Sequence, residues 1–275
     1  MIRRCNRTQR YPATPISVCL VPTNDTTVSI SSLSEYVAHV EATCAGEVVL
    51  FRGQAVDKPL LPKIARLNTA LEVQKAERRM FDDFKRQALP HLDYTPESDW
   101  DWLSLAQHSG MATRLLDWST NPLAALWFVV ERPPRDEAPG VIWHFEAKDE
   151  DFLDARSSLD PFSITKTRIF RPRHITQRIT SQSGYFFAHR YLETKNEEYM
   201  AFENNSRFKK RLTKLLVPAA AFSDLRRDLD RFGINAASLY GGMDGVCRHI
   251  EWLHSYLEDE RDDDHRKESL RRSAD

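Results

Sequence analysis

Apolar positions recur along the chain with two periods, and each change of period marks a new element. Ser32-Leu33-Ser34-Glu35 forms a capping box and opens an amphipathic helix that runs to about Cys44, where Gly46 stops it. The next run, Glu47-Val-Val-Leu-Phe-Arg-Gly53, carries apolar residues at consecutive positions, so it is expected as a strand covered on both faces. From about 69 to 89 the chain is charged, with Leu71, Met80, Phe81 and Phe84 at helical spacing, which predicts a long surface helix. A short helix is expected over Trp100–Gln107. Asn121-Pro122 supplies a cap and a first turn for Leu123–Glu131, a helix apolar all round and therefore internal.

After a Pro133–Gly140 turn the pattern predicts strands at Val141–Phe145, Gly184–His189 and Leu212–Val217. Helices follow at Ala219–Phe232, stopped by Gly233, and from about Asp244 to Leu257. Residues 1–30 are polar, with Pro12, Pro15 and Pro22, and read as an irregular arm. Residues 258–275 mix acidic and basic side chains and read as a charged, disordered tail. With no repeat and no linker between them, residues 31–257 are expected to form one α+β domain.

Composition narrows the function classes. The 275 residues are enough for a core that needs no metal or disulfide, and six Trp, eight Tyr and fourteen Phe argue against general disorder. The net charge of -1 gives no whole-molecule attraction to nucleic acid or membrane, so such contacts require a local patch. Cys5, Cys19, Cys44 and Cys247 form no CxxC pair and are expected as reduced thiols, the last two as inert core residues. No apolar run reaches a membrane-spanning length, and the basic N-terminus is followed by no apolar leader core. The expectation is a cytoplasmic protein without a membrane partner.

Two segments can carry chemistry. In Phe51-Arg52-Gly53 an arginine at the end of a buried strand requires an anionic partner, either a carboxylate such as Asp117 or the phosphate of a ligand. Gly53 allows close approach by a ligand or by another backbone segment. The second segment, Leu105 to Pro122, packs His108, Thr113, Arg114, Asp117, Trp118, Ser119 and Thr120 just ahead of the internal helix. That helix N-terminus, with Arg114, suits a phosphate or pyrophosphate, and Trp118 suits stacking on a base or nicotinamide ring. Any one of these residues alone reads first as a cap, turn or core residue; the case rests on the cluster.

A third segment, Arg207-Phe-Lys-Lys-Arg-Leu-Thr-Lys214, is the strongest basic run. Arg207, Lys209, Lys210, Arg211 and Lys214 are candidates for an RNA or DNA backbone, with Phe208 for stacking; the alternative is a solvated strand edge. HExxH, Walker A, GxGxxG and GxSxG patterns are absent, and no metal is expected.

Phe51-Arg-Gly followed by Leu60-Leu-Pro-Lys-Ile-Ala-Arg66, and the block from Gln107-His-Ser-Gly-Met-Ala-Thr-Arg-Leu-Leu-Asp-Trp-Ser-Thr-Asn-Pro to Phe128, resemble the FRG domain family. Arg178-Ile-Thr-Ser-Gln182-Ser-Gly-Tyr-Phe186, Phe232-Gly-Ile-Asn235, Ser238-Leu-Tyr240 and Met243-Asp-Gly245 extend the resemblance over roughly 30–257. Tyr240-Gly-Gly-Met-Asp-Gly departs from the family's Phe-Pro-Asp-Leu-Asp-Gly run. A more distant similarity is to ADP-ribosyltransferases of the Arg-Ser-Glu type, in the order Arg52, the Thr113–Ser119 stretch with Ala125 and Phe128, and Gln182. That similarity implies a mixed or antiparallel sheet core flanked by helices, and transfer of ADP-ribose from NAD to a nucleic acid or protein.

In this reading Arg52, Gly53, Arg114, Trp118 and Ser119 hold NAD, and Gln182, Thr113, His108 and Asp117 serve the reaction. Glu193, Glu197, Glu198 and Glu203 are the other candidates for the polarising group. The resemblance further implies a bacterial toxin or antiphage effector with a neutralising antitoxin or chaperone partner. Two alternatives remain open: a non-catalytic nucleotide or nucleic-acid binding module, and an NAD or phosphodiester hydrolase using Asp117 and His108 as an acid–base pair.

Overall fold

Leu50 and Phe51 are consecutive and both buried, so their side chains point to opposite faces of one strand and each face must be covered. In the computed structural model, which describes residues 28–44, 46, 48–154, 159–172, 184–193 and 198–260, this strand is β2 (Val48–Gln54). It occupies the centre of a seven-stranded sheet with β1 (Val28–Ser29), β3 (Leu115–Ser119), β4 (Gly140–Ala147), β5 (Arg168–Phe170), β6 (Gly184–Ala188) and β7 (Leu212–Val217). The order is β1-β7-β4-β2-β3-β6-β5, antiparallel throughout except for β1 beside β7. This is the α+β class and the mixed sheet expected.

Helices cover both sides. α1 (Leu33–Thr43), α4 (Pro122–Val130) and α5 (Phe222–Arg231) pack on the face that carries Phe51, Ile142, Leu215 and Val217. On the opposite face Leu50, Trp143, Phe145 and Phe187 meet Leu60, Phe202 and Phe208, with Phe202 stacked on Phe208 at 4.8 Å. α2 (Val73–Ala88) and α3 (Asp99–His108) form a third layer with Phe162, against Leu115 and Phe186. Two short C-terminal helices follow, α6 (Ala236–Tyr240) and α7 (Gly242–Leu253).

Local chemistry explains the boundaries. Ser98 and Asp101 cap α3 reciprocally, so it opens one residue earlier than apolar spacing suggests. Asn121 accepts from the backbone N–H groups of Leu123 and Ala124 and fixes the start of α4. The segment expected as a helix from Ala219 begins as a 3-10 turn at Ala219–Ala221. β3 and β5 were not expected: Leu-Leu-Asp-Trp-Ser and Arg-Ile-Phe are too short for a visible period.

Three expectations require correction. Val28 and Ser29 form a strand on β7, and Ile30 is buried with its N–H on the Leu216 carbonyl at 2.8 Å, so the irregular arm cannot extend to residue 30; residues 1–27 lie outside the described residues. At the other end Glu260 is buried and accepts from Arg226 at 2.6 Å, because a fully buried guanidinium requires counter-charge; residues 261–275 lie outside the described residues. Cys247 is exposed, while Cys44 is half-buried with its Sγ 3.6 Å from His144 Nδ1 and its thiol pushed up mainly by burial.

One contact sets how close α4 lies to the sheet. A Cβ on Gly53 would sit 1.9 Å from the Ala125 carbonyl oxygen, which is backbone and cannot swing away. Gly53→Ala is therefore expected to push α4 off β2 and to cost about 3 kcal/mol or more, read as a fall in the urea midpoint.

Candidate functional site

β2 pairs with β4 through all seven of its residues, but with β3 through one registered pair, Phe51 with Ser119. Beyond that pair the backbone ladder between the two strands is missing. The guanidinium of Arg52 substitutes for it, its Nη1 donating to the Asp117 main-chain carbonyl at 2.6 Å. A cleft of about 590 Å³ opens here, walled by β2 (Phe51–Gln54), β3 (Asp117–Ser119), β6 (Gly184–Phe186), the end of α3 and the face of α4 at Ala125 and Phe128.

Arg52 is half-buried and forms no ion pair among the described residues; its Nε is buried without a hydrogen-bond partner. Burial disfavours its charged form, Asp117 partly offsets this, and the nearby positive charge of Arg66 opposes it again. A cation in that position is short of negative charge. Thr113, Gln107 and Asp117 form a relay beside it. The Leu115 N–H donates to Thr113 Oγ1 (3.0 Å), Thr113 donates to Gln107 Oε1 (2.7 Å), and Gln107 Nε2 donates to Asp117 Oδ2 (2.8 Å). Thr113 is fully buried, so it positions Gln107 and does not touch a ligand. Ser119 sits where β2, β3 and β6 meet, paired to Phe51 on one side and Gly184 on the other, and its Oγ accepts from the Asn121 N–H.

The cleft brings together Arg52, Gly53, His108, Asp117, Trp118 and Ser119. Two of these have a different role from the one expected. Gly53 serves the approach of α4, the backbone alternative of its two readings. Trp118 is 3 % exposed and packs against Phe187 and Phe202 at 5.2 and 5.7 Å, so its ring is core and has no free face for a base.

Arg114 is also corrected. It is fully buried, with Nε and Nη2 on Glu77 (Nη2 at 2.7 Å), Nη1 on the Pro161 carbonyl, and its plane 4.7 Å from the Phe162 ring. Tyr199 donates to the same Glu77 at 2.9 Å. A guanidinium with its counter-charge in place has nothing left for a pyrophosphate. Gln182 and Glu197 lie outside the described residues; Glu203 accepts from the Leu60 N–H in the loop beneath the sheet.

The basic run is largely neutralised. Arg207 and Arg211 converge on the buried Asp151 at 3.1 and 2.6 Å, Lys214 pairs with Asp57, and Phe208 is buried, so it cannot stack on a base. Lys209 and Lys210 remain exposed.

The cleft-lining residues that sequence reasoning did not single out are Gln107 and the rim cations Lys58, Arg66, Arg132 and Arg135; His189 lies outside the lining. Gln107 was visible as the first residue of the polar block; the rim cations lie in turns that carry no periodic signal. His189 follows β6, with its backbone N–H on the Arg114 carbonyl, and its imidazole is held down to about 4, chiefly by burial and further by the charges of Arg52 and Arg114. Among the described residues no group of three or more His, Cys, Asp or Glu side chains is placed to hold a metal ion.

Comparison with known families gives one match: residues 47–138 fit the model of the FRG domain. No curated protein and no solved structure matches. The matched span runs from β2 to the turn after α4, shorter than the 30–257 over which the resemblance was drawn. It supplies every residue lining the cleft except Gly184, Tyr185 and Phe186.

His189 and His144 are both pushed down to about 4, mainly by burial, against an unfolded value near 6.5. The unfolded chain takes up these protons first, so stability is full above pH 6.5 and falls as pH drops toward 4. Each histidine is expected to contribute on the order of 3 kcal/mol to that loss; in urea titrations at several pH values, His189→Gln should make the decline shallower. Glu77→Gln, which strips the counter-charge from buried Arg114, should cost about 3–5 kcal/mol at neutral pH in the same titration.

Proposed function

We propose, on the premise that residues 47–138 of this chain are an FRG domain, that the cleft is the active site of an NAD-dependent ADP-ribosyltransferase. The observation that carries the reading is Arg52, a half-buried cation with an orphan Nε and no carboxylate partner among the described residues, beside Ser119 at the junction of β2, β3 and β6. This is the arrangement that the similarity to Arg-Ser-Glu transferases leads one to expect, and its charge deficit fits a pyrophosphate.

NAD supplies an ADP-ribosyl group whose bond to nicotinamide breaks with the electron pair leaving on nicotinamide. Arg52 binds the pyrophosphate. Its Nη1 stays tethered to the Asp117 carbonyl, so the anion meets a cation already held in place. Asp117, oriented by Gln107 and Thr113, presents a carboxylate that stabilises positive charge developing on the ribose or takes the acceptor's proton. Ser119 contacts the ribose; Gln182, two residues before β6 in the sequence and outside the described residues, is the candidate for the polarising group. A toxin or defence role, with a neutralising partner, extends this reading on the family resemblance alone.

A second reading, a nucleotide-binding module without catalysis, is favoured by a specific feature. Opposite Ser119, β6 presents Gly184, and Asp117 is the sole carboxylate lining the cleft among the described residues.

Incubation with adenylate-labelled NAD and, separately, RNA, DNA or lysate protein distinguishes the two. The transferase releases nicotinamide and labels an acceptor, with a loss of about 100-fold or more in Arg52→Ala and in Asp117→Asn. Retention of labelled NAD without nicotinamide release supports the binding module. Absence of both, with folded protein, overturns the reading.

A further inference from the structure

Charge around the cleft exceeds what a dinucleotide needs. Five lining residues are Arg or Lys (Arg52, Lys58, Arg66, Arg132 and Arg135) and one is acidic, Asp117. Lys58, Arg66 and Arg135 are exposed and form no ion pair among the described residues; Arg132 has only a 3.9 Å contact with Glu131 and is 71 % exposed. A pyrophosphate brings roughly two negative charges, which Arg52 and its neighbour Arg66 balance. Lys58, Arg132 and Arg135 are left over, from two separate loops at the mouth.

The α4–β4 turn turns sharply just after Arg135. Asp136 and Glu137 adopt φ values of 51° and 55°, a conformation unusual for two successive non-glycine residues. Two half-buried aromatic residues, Phe128 and Tyr185, line the same cleft; Tyr185 carries Arg171 over its ring at 5.8 Å and meets Phe152 edge-on, while Phe128 makes an edge contact with Tyr240 at 6.2 Å. Cations that follow a backbone, with aromatic rings beside them, are the elements by which proteins hold an unpaired strand. A cleft of this size admits a base or a strand end, not a duplex.

Resting on the transferase reading for its chemistry, we propose that the acceptor is single-stranded nucleic acid, its phosphates held by Lys58, Arg132 and Arg135 and a base stacked on Phe128. The interface is thus the cleft mouth, not the basic run at 207–214, where Arg207, Arg211 and Lys214 are tied to Asp151 and Asp57 and, of the cations, only Lys209 and Lys210 are exposed. In the transfer, a base nitrogen or a hydroxyl oxygen of the strand bonds to C1′ of the ribose as the bond to nicotinamide breaks. Nicotinamide leaves with the electron pair and the acceptor's proton passes to Asp117 or water.

The test needs no NAD. Anisotropy of fluorescein-labelled single-stranded RNA or DNA of about 12 nucleotides, titrated with the full chain across a salt series, reads binding directly. Three phosphate contacts predict a log–log salt slope of about -2 for the wild type. The Lys58→Ala/Arg132→Ala/Arg135→Ala variant should bind about tenfold or more weakly with a flatter slope, while Lys209→Ala/Lys210→Ala stays within about twofold. All five side chains are exposed, and circular dichroism confirms the fold. The RNA and DNA arms identify the strand chemistry.

No binding by the wild type, equal loss in the two variants, or transfer of label only to lysate protein overturns the proposal. Nicotinamide release is scored separately in the rim variant, which keeps Arg52. Strand binding without nicotinamide release from NAD therefore removes the transferase reading while leaving the interface in place.

Discussion

The architecture depends on how β2 divides its two edges. Toward β4 it makes a complete ladder, and toward β3 it makes one registered pair and then parts. A parted sheet leaves main-chain groups unmatched, a cost that the Arg52 guanidinium offsets by donating to the Asp117 carbonyl. The next residue, Gly53, lacks the side chain that would hold α4 away, so the helix backs the opening closely. Two adjacent residues thus keep the cleft open and give it a rigid wall. The Ser119–Gly184 register on β6 and the end of α3 at Gln107 and His108 form further walls.

Three buried or half-buried arginines show how counter-charge separates structural from functional cations. Arg114 is saturated by Glu77 and the Pro161 carbonyl, and Arg226 by the Val130 carbonyl, Asp259 and Glu260. Both join distant parts of the chain, and removing an acid partner from either would strand a charge in the core. Arg52 has a carbonyl on one nitrogen, an orphan Nε and a second arginine nearby. A guanidinium left in that state is short of negative charge, which an anion bound there would supply.

Much of this was legible in the sequence, for physical reasons. Consecutive apolar residues around Leu50 and Phe51 forced a doubly covered strand, and Asn121-Pro122 ahead of an apolar run forced an internal helix; both are observed. The density of polar residues between Gln107 and Asn121 located the cleft. Individual roles were less legible, because a side chain's function depends on partners remote in sequence. Glu77, 37 residues away on α2, turns Arg114 into a structural residue, and Asp151 does the same for Arg207 and Arg211. Trp118 has the chemistry of a stacking surface, but it lies on β3, whose face packs it on Phe187.

The net charge of -1 concealed the rest, since a sum over the chain carries no information about segregation. Acidic residues are drawn inward to Arg114, Arg226, Arg207 and Arg211, or paired to Lys214 at the sheet surface. Four cations without such partners among the described residues, Arg52, Lys58, Arg66 and Arg135, line one concave opening, where low-dielectric walls strengthen their common field. A nearly neutral protein can therefore present a positive cleft without any basic tract in its sequence. In the tract that looked basic, from Arg207 to Lys214, the two arginines and Lys214 are paired to Asp151 and Asp57, and Lys209 and Lys210 stay exposed.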